Sequence, residues 1–401
     1  MTRLLPVPGQ PAKVTAMQSS TRAIWAIFLV FFSESLVLGN WIPRIPDIKD
    51  QVGLTDFTLG VCLLAVPAGT ICAFLVAGRM IEFTGLRNSC RIWLPLWALM
   101  FTLPGFISSV YWLFAVLCFA GFTIGLCEVA MNSKADMIEQ QFAARIMSRC
   151  HGFWSLGSMA GALIGGALAQ WQWTVAQHYL LVMPMIAVFA YLVCTALPDD
   201  IEPSPEDGDT LSNPAHAFRL PSASIAMLCL MPVGIMAIEG AYIDWSALFM
   251  REELNASPII IAITYSFFSL VMAAVRLSGD ALAERFGVAR LIKISTISAA
   301  AGITLFSLAP NIAFAFAGAA LSGLGVALVY PMAITAVARR PGNVTDNVAS
   351  MSLFAFAAFL LAPPFIGFLS EIANLRWALL SLLPFALLSV YLAPEVTKPT
   401  P

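Results

Sequence analysis

Residues 112–133 read WLFAVLCFAGFTIGLCEVAMNS, a run in which Glu128 is the only charged side chain. A helix needs about 20 predominantly apolar residues to cross the hydrocarbon core of a bilayer. Strands of a transmembrane barrel would be shorter and would alternate in polarity, which this run does not. The run therefore predicts a transmembrane helix that carries one carboxyl group inside the membrane.

The rest of the chain has the same character. Hydrophobic residues make up 59% and charged residues 11% of its 401 residues, and the mean hydropathy is +0.84, whereas a soluble domain has about 25% charged residues. Because so few charged residues cannot cover a water-exposed surface of this size, we expect most of the protein surface to face the lipid bilayer. The net charge of −2 gives no indication of nucleic-acid binding. The eight cysteines form no CxxC pair or Cys/His cluster, and we expect neither a metal site nor a cofactor.

Apolar runs of this length recur twelve times, and the longest interior polar stretch, 198–222, separates six from six. We predict an all-α membrane protein with 12 transmembrane helices in two six-helix bundles. The bundles are residues 23–197 and 223–393, joined by a cytoplasmic loop at 198–222 and flanked by cytoplasmic tails at 1–22 and 394–401. The predicted spans are 23–43, 57–78, 92–109, 112–133, 147–170, 178–197, 223–248, 258–280, 291–309, 312–337, 348–370 and 375–393.

The basic residues predict the orientation. Sixteen of the 21 Lys and Arg residues fall in segments that are cytoplasmic if the N-terminus is inside, four fall outside, and Arg276 lies within a span. An excess of Lys and Arg marks cytoplasmic loops. We therefore expect a multi-pass protein of a bacterial inner membrane with both termini in the cytoplasm.

The two halves repeat each other, which predicts a pseudo-two-fold axis with a substrate cavity along it. Two dipeptide matches lie 204 residues apart, and a glycine recurs after the second and eighth spans. The matched positions are Asn40-Trp41 with Asp244-Trp245, Met147-Ser148 with Met351-Ser352, and Gly85 with Gly287.

Acids within spans are the first candidates for function, because a charge at the bilayer centre costs about 2.5–3.5 kcal/mol on insertion scales. Gly121, Gly125, Glu128 and Asn132 share one helix face. A carboxyl and an amide on that face can hydrogen-bond a hydroxylated substrate, and the carboxyl can carry a proton. The alternative is an interhelical hydrogen bond with no role in transport.

The first and seventh spans supply further candidates. Glu34 lies in the middle of the first span, with Asn40 and Trp41 further along it, and Glu239 lies deep in the seventh. We predict that these residues, together with Glu128 and Asn132, bind substrate, although an ion pair would also explain Glu34. Asp244 lies toward the outer end, where a polar interface residue is the simpler interpretation. The same holds for Trp residues near span ends, which are more often interface anchors.

The loops after the second and eighth spans carry related motifs. The first reads GRMIEFTGLR (78–87), and the second contains Glu284-Arg285-Phe286-Gly287 with Asp280 upstream. Both resemble the cytoplasmic signature Gly-x-x-x-Asp-Arg-x-Gly-Arg-Arg of the major facilitator superfamily. Arg276 and Asp280 are four residues apart and could pair on one helix face. The predicted cytoplasmic gate is Gly78, Glu82, Gly85, Arg87, Arg276, Asp280, Glu284, Arg285 and Gly287.

A closer resemblance covers nearly the whole chain. The stretch from Gly125 to Asn132 resembles the Glu-x-x-x-Asn motif of fucose-permease-like transporters. Residues 151–157, 239–245 and 363–367 resemble the YbjJ/MosC-type branch. Fucose-permease-like proteins pair an acid in helix one with one in helix four for proton coupling, which the resemblance transfers to Glu34 and Glu128. Relatives suggest sugars, polyols or inositol-like compounds as substrates.

These patterns predict a secondary active transporter that works by alternating access. A proton-coupled symporter is the main hypothesis, with protons and a small polar solute as its ligands and with the protein as a monomer. The stripe of Gly157, Gly161 and Gly165 resembles the helix-five signature of drug–proton antiporters, except at Ala162. Close helix packing explains the stripe equally well. An efflux antiporter and a non-transporting membrane sensor remain alternatives. No phosphate-binding GxxxxGK[ST] loop or hydrolase motif occurs, so the sequence indicates neither ATP-driven transport nor an enzyme.

Overall fold

The fold is described from a computed structural model, in which residues 10–200, 222–341 and 343–397 are placed. Within these ranges all regular secondary structure is helical. The N-terminal half contains α1 (Gln10–Trp41), α2 (Asp56–Thr84), α3 (Leu86–Met100), α4 (Val110–Phe142), α5 (Met147–Gln170) and α6 (Val175–Thr195). A short helix, Ile45–Val52, joins α1 to α2.

The C-terminal half repeats this order. It contains α7 (Ile225–Glu252), α8 (Pro258–Leu277), α9 (Val288–Ser307), α10 (Ile312–Ala338), α11 (Val344–Ile372) and α12 (Leu375–Val396). Helices α7, α10 and α12 are each interrupted by one short turn, and the helix Gly279–Phe286 joins α8 to α9.

Eleven of the described helices have the length and hydropathy needed to cross a membrane. The exception is α3, which has only 15 residues. It begins at Leu86, before the predicted span 92–109, and ends at Met100, within that span. Its first two turns contain Arg87 and Arg91, so the apolar run alone places the start of the helix too late. Because α3 packs between α4 and α6, it completes the six-helix arrangement of the first half.

The contacts between the halves obey the predicted two-fold relation. Helix α5 packs against α8, and α2 packs against α11. Exchanging the halves turns α5 into α11 and α8 into α2, so it converts the first contact into the second, which is the result expected for a duplicated six-helix unit. The turns that contain Gly85 and Gly287 also match, with φ of 76° and 74° and ψ of 161° and 147°. An L side chain rarely adopts such a φ, so glycine is needed at both turns.

The glycine stripe of α5 packs against α1. A Cβ atom added to Gly161 would lie 2.8 Å from the backbone nitrogen of Asn40, and one added to Gly165 would lie 2.9 Å from the Asn40 carbonyl oxygen. The two backbones are thus in direct contact, as in other membrane helices with small residues at the interface. The predicted loop 198–222 lies mostly outside the described residues, so the domain boundaries stay a prediction.

Candidate functional site

The two ends of the bundle differ in how the halves are joined. We call the end with the α2–α3 turn and Asp199–Asp200 the linker side, and the opposite end the far side. Among described side chains, both ion pairs that cross between the halves lie on the far side. Lys49 Nζ lies 2.8 Å from Glu252 Oε1, and Arg251 Nη1 lies 2.8 Å from Asp50 Oδ2. The far side is therefore closed in this structure.

A second junction on the far side joins α2 to α11. The carboxylate of Glu371 accepts hydrogen bonds from the Thr55 hydroxyl and the Phe57 backbone N–H, each at 3.1 Å. The Ser370 hydroxyl donates to Asp56 at 2.5 Å. A carboxylate at the first turn of a helix is also favoured by the helix dipole, so this contact fixes the start of α2 against the other half.

The acids predicted on α1 and α4 are within electrostatic range of each other. Glu34 is 6% exposed, and its carboxyl group interacts electrostatically with that of Glu128. The Trp154 indole of α5 lies beside the Glu34 carboxyl, and Trp97 Nε1 donates to the Glu34 backbone carbonyl at 3.2 Å. The Oε2 atom of Glu34 has no hydrogen-bond partner among the described residues. Glu34 is thus a buried carboxyl group with one oxygen free to bind a proton or to hydrogen-bond a ligand.

Glu128 is half-buried, and its carboxyl forms no hydrogen bond or ion pair with any described side chain. The amide of Asn132 does not contact that carboxyl, because its Nδ2 donates to the Glu128 backbone carbonyl at 2.8 Å. Across the interface, Tyr330 of α10 lies near enough to Glu128 to interact electrostatically, and its hydroxyl is 3.4 Å from Ser352 Oγ. Glu128 therefore faces the C-terminal half.

Glu239 is buried and ion-paired. Its Oε1 lies 3.1 Å from Arg276 Nη2, within the C-terminal half. The Arg276 guanidinium thus reaches an acid on another helix, and the predicted Arg276–Asp280 pair and the placement of Arg276 in a cytoplasmic gate stay predictions. The side chain of Asp280 is outside the described residues. Local helix spacing identifies possible partners one turn away, but a long side chain at a helix–helix interface can reach a buried acid on another helix instead.

Asp244 was expected at the membrane interface, but it lies inside the helix bundle. It is half-buried, it forms no hydrogen bond or ion pair with a described side chain, and it interacts electrostatically with Tyr265. Tyr265 is itself hydrogen-bonded to Ser158 of α5 at 2.8 Å, across the two halves. Asp244 thus adds a second uncompensated carboxyl to the interface.

Asn40 and Trp41 lie away from these acids. Asn40 is fully buried, its Nδ2 donates to the Leu36 carbonyl at 2.8 Å, and its Oδ1 is 2.9 Å from His178 Nε2. Trp41 packs edge to face on Phe101 with 5.3 Å between ring centroids. Both side chains are engaged within the N-terminal half, and we therefore leave them out of the binding set proposed below.

The predicted gate residues on the linker side do not form one cluster. Gly78 has open space around it, and Glu82 and Glu284 are exposed. The Arg285 guanidinium lies over the Phe286 ring, 5.3 Å from its centroid. The Arg87 guanidinium makes long-range contacts, with the Asp199 carboxylate and with the Thr195 carbonyl at 2.7 Å.

Sequence reasoning missed the residues that hold Arg87 in place. Lys134 of α4 is fully buried, and its Nζ donates to Asp200 Oδ1 at 2.7 Å. The Asp200 carboxylate also accepts the Arg87 backbone N–H at 3.2 Å and lies over Gly85. The available signal was the pair of acids directly after the sixth span, together with one lysine at the end of the fourth.

Comparison with known proteins agrees with this architecture. Residues 24–243 and 236–401 match the family model of the Major Facilitator Superfamily. The chain is 29% identical over 369 residues to an uncharacterised transporter, y4wD, of Sinorhizobium fredii, covering 92% of this chain and 96% of that protein. It is also 29% identical over 362 residues to the membrane protein MosC of Rhizobium meliloti, covering 89% and 86%.

Solved structures show the same fold at low sequence identity. The nucleoside transporter NupG superposes with a TM-score of 0.68 at 11% identity, covering 94% of this chain and all of that one. The fucose:proton symporter FucP of E. coli superposes with a TM-score of 0.63 at 13% identity, covering 95% and 100%. From the family match over nearly its whole length and from its duplicated helical fold, the chain belongs to the major facilitator superfamily of secondary transporters.

Proposed function

We propose that this transporter is a proton-coupled symporter that imports a small polar solute, such as a sugar, a polyol or an inositol-like compound. The observation that carries the proposal is the adjacent pair of carboxyl groups, Glu34 and Glu128, with Glu34 Oε2 unpartnered in a buried position. In this proposal the linker side faces the cytoplasm of a bacterium.

The chemistry of the pair supports proton binding. Two carboxylates held close together in a poorly solvated site repel each other, and removing each from water is costly. Neither has a basic side chain in contact among the described residues. A proton on the pair removes one negative charge and supplies a donor, so the pair can bind a proton on one side of the membrane and release it on the other.

Polar and aromatic groups around the pair suit a hydroxylated solute. Trp154 offers an aromatic face beside Glu34, and Tyr330 and Ser352 offer hydroxyl groups from the second half. A few polar groups against apolar walls are typical of small-molecule sites. Two structural relatives, a nucleoside transporter and a fucose:proton symporter, act on solutes with several hydroxyl groups.

The test is uptake of labelled sugars, polyols and inositols into proteoliposomes, with and without an imposed proton gradient. We expect Glu128→Gln to abolish proton-driven accumulation while solute exchange persists, because exchange needs no net proton movement. The matched control is Asp136→Asn, which neutralises an exposed carboxylate two turns further along α4. Accumulation by Glu128→Gln at the parent level would contradict the proton role.

The glycine stripe gives no support to efflux as a second candidate. Gly157 and Gly161 are in contact with the α1 backbone, so helix packing accounts for them. No other described feature favours amphipathic substrates over polar ones.

A further inference from the structure

One basic side chain joins the two halves at the molecular centre. The Arg276 guanidinium bonds Glu239 Oε1 of α7 at 3.1 Å and the Ala327 carbonyl of α10 at 3.3 Å, both in its own half. Its Nη1 donates across the interface to Ser155 Oγ of α5 at 3.2 Å. Planar guanidinium groups with five N–H donors suit such multiple contacts.

The Trp154 side chain separates this guanidinium from the acid pair. Arg276 Cζ lies 6.0 Å from the centroid of the Trp154 ring, which is within the range of a cation–π contact. The same indole lies beside the Glu34 carboxyl. The order across the interface is therefore Glu239, Arg276, Trp154 and Glu34, which connects an acid of the C-terminal half to an acid of the N-terminal half.

The charges around this chain of contacts do not balance. Among the described residues, the carboxyl groups of Glu34, Glu128, Glu239 and Asp244 face the single permanent positive charge of Arg276, and that charge is paired with Glu239. The titratable and charged groups that face the cluster are Glu34 of α1, Cys127 and Glu128 of α4, His151 of α5, Glu239 and Asp244 of α7, Tyr265 and Arg276 of α8, and Tyr330 of α10.

We propose that Arg276 is a positioning residue that transmits the protonation of Glu34 to the C-terminal half by exchanging Glu239 for Glu34. The proposal rests on the proton coupling proposed above. With Glu34 protonated, Arg276 stays on Glu239, as in this structure, where Glu34 Oε2 has no partner. When Glu34 loses its proton, a carboxylate forms on the other side of Trp154. It attracts the guanidinium away from Glu239 and draws α8 toward α1.

The test measures the distance between the halves on the linker side as a function of pH. Spin labels replace Phe83 and Phe286, which are 90% and 39% exposed in the two halves, in a background without native cysteines. Distance distributions are recorded by double electron–electron resonance from pH 5 to 9 without solute. We expect the parent to change its distribution across this range, and Glu34→Gln and Arg276→Gln each to lose the change.

Arg376→Gln is the matched control, because Arg376 pairs with Glu253 at 2.7 Å within the C-terminal half, on the far side. The distance distribution of Arg376→Gln should change with pH in the same way as that of the parent. If Arg276→Gln fails to fold, Glu239→Gln replaces it. That variant frees Arg276 for Glu34, so the transition should move to lower pH by about one unit, a tenfold change in proton concentration.

A parent distribution that stays constant from pH 5 to 9 would overturn the proposal. So would an Arg276→Gln variant, or its Glu239→Gln substitute, with the parent's midpoint and amplitude. The two proposals fail separately. Proton coupling itself fails if Glu128→Gln accumulates solute normally, whereas the role of Arg276 fails if its variants titrate normally while Glu128→Gln has lost accumulation.

Discussion

Closure of the far side should depend on Lys49. Its Nζ lies 2.5 Å from Asp56 Oδ1 in its own half and 2.8 Å from Glu252 Oε1 in the other, and the side chain is only 14% exposed. Replacing it by Gln removes the charge that holds Glu252. We therefore expect Lys49→Gln to shift the protein from the closed toward the open far side.

The size of the shift follows from burial. A hydrogen bond between charged groups contributes about 1.5–3 kcal/mol when partly buried, and an exposed ion pair about 0.2–1 kcal/mol. Only the contact with Glu252, which is 35% exposed, crosses between the halves, so its loss should cost about 1–2 kcal/mol. That changes the ratio of closed to open molecules by about 5–30-fold. Opening should stay incomplete, because Glu371 still binds the start of α2.

The assay is the distance between spin labels that replace Tyr111 and Trp377, which are 84% and 60% exposed and begin the α4 and α12 spans of the two halves. A population at longer distance should appear in Lys49→Gln. Arg376→Gln removes a far-side pair inside one half and should lower stability without adding that population. If the distances in Lys49→Gln match those of the parent, the ion pair does not hold the halves together and the reasoning is refuted.

Two further predictions concern stability, read as the melting temperature in detergent. Gly161→Ala should destabilise the protein by about 1–3 kcal/mol, because the added methyl meets the α1 backbone, whereas Gly78→Ala has open space and should be neutral or slightly stabilising. An unchanged melting temperature for Gly161→Ala would contradict the packing. Asp200→Asn should cost about 1–3 kcal/mol, because it leaves the fully buried Lys134 ammonium without its carboxylate partner. Lys134→Met should cost less, because the Asp200 carboxylate that it leaves is 33% exposed. The reverse order would refute this account.

The transmembrane helices were predictable because lipid imposes a simple requirement. A span must be apolar for about 20 residues, and no tertiary contact can relax that. The duplicated order and the matching turns at Gly85 and Gly287 follow from the internal repeat. The pairing of Glu34 with Glu128 was taken from the family resemblance, and its role in proton coupling stays a prediction. The start of α3 was misplaced because its arginine-bearing first turn lies outside the apolar run.

The partners of polar side chains were not predictable from local spacing. Arg276 finds Glu239, 37 positions earlier in the chain, and Asn40 finds His178, 138 positions later. Which acid a long side chain reaches depends on how helices distant in sequence are rotated against each other. That rotation is set by the packing of many small residues, and a single sequence does not reveal it.

The packing of α5 indicates where the halves can move. Its glycine face contacts the α1 backbone directly at Gly157 and Gly161, so these two helices cannot slide without a clash. Its other face meets α8 through hydroxyl–carbonyl hydrogen bonds, in which Ser269 donates to the Ser155 carbonyl at 2.8 Å and Ser266 to the Met159 carbonyl at 3.1 Å. A hydroxyl group can exchange one backbone carbonyl for another when the helices slide, whereas two backbones in direct contact would clash. We therefore expect α1 and α5 to move as one body and the relative motion of alternating access to occur at the α5–α8 contact. At its symmetry mate, α2–α11, a Cβ atom added to Gly60 would lie 2.5 Å from the Pro363 carbonyl oxygen, so those two backbones are also in direct contact.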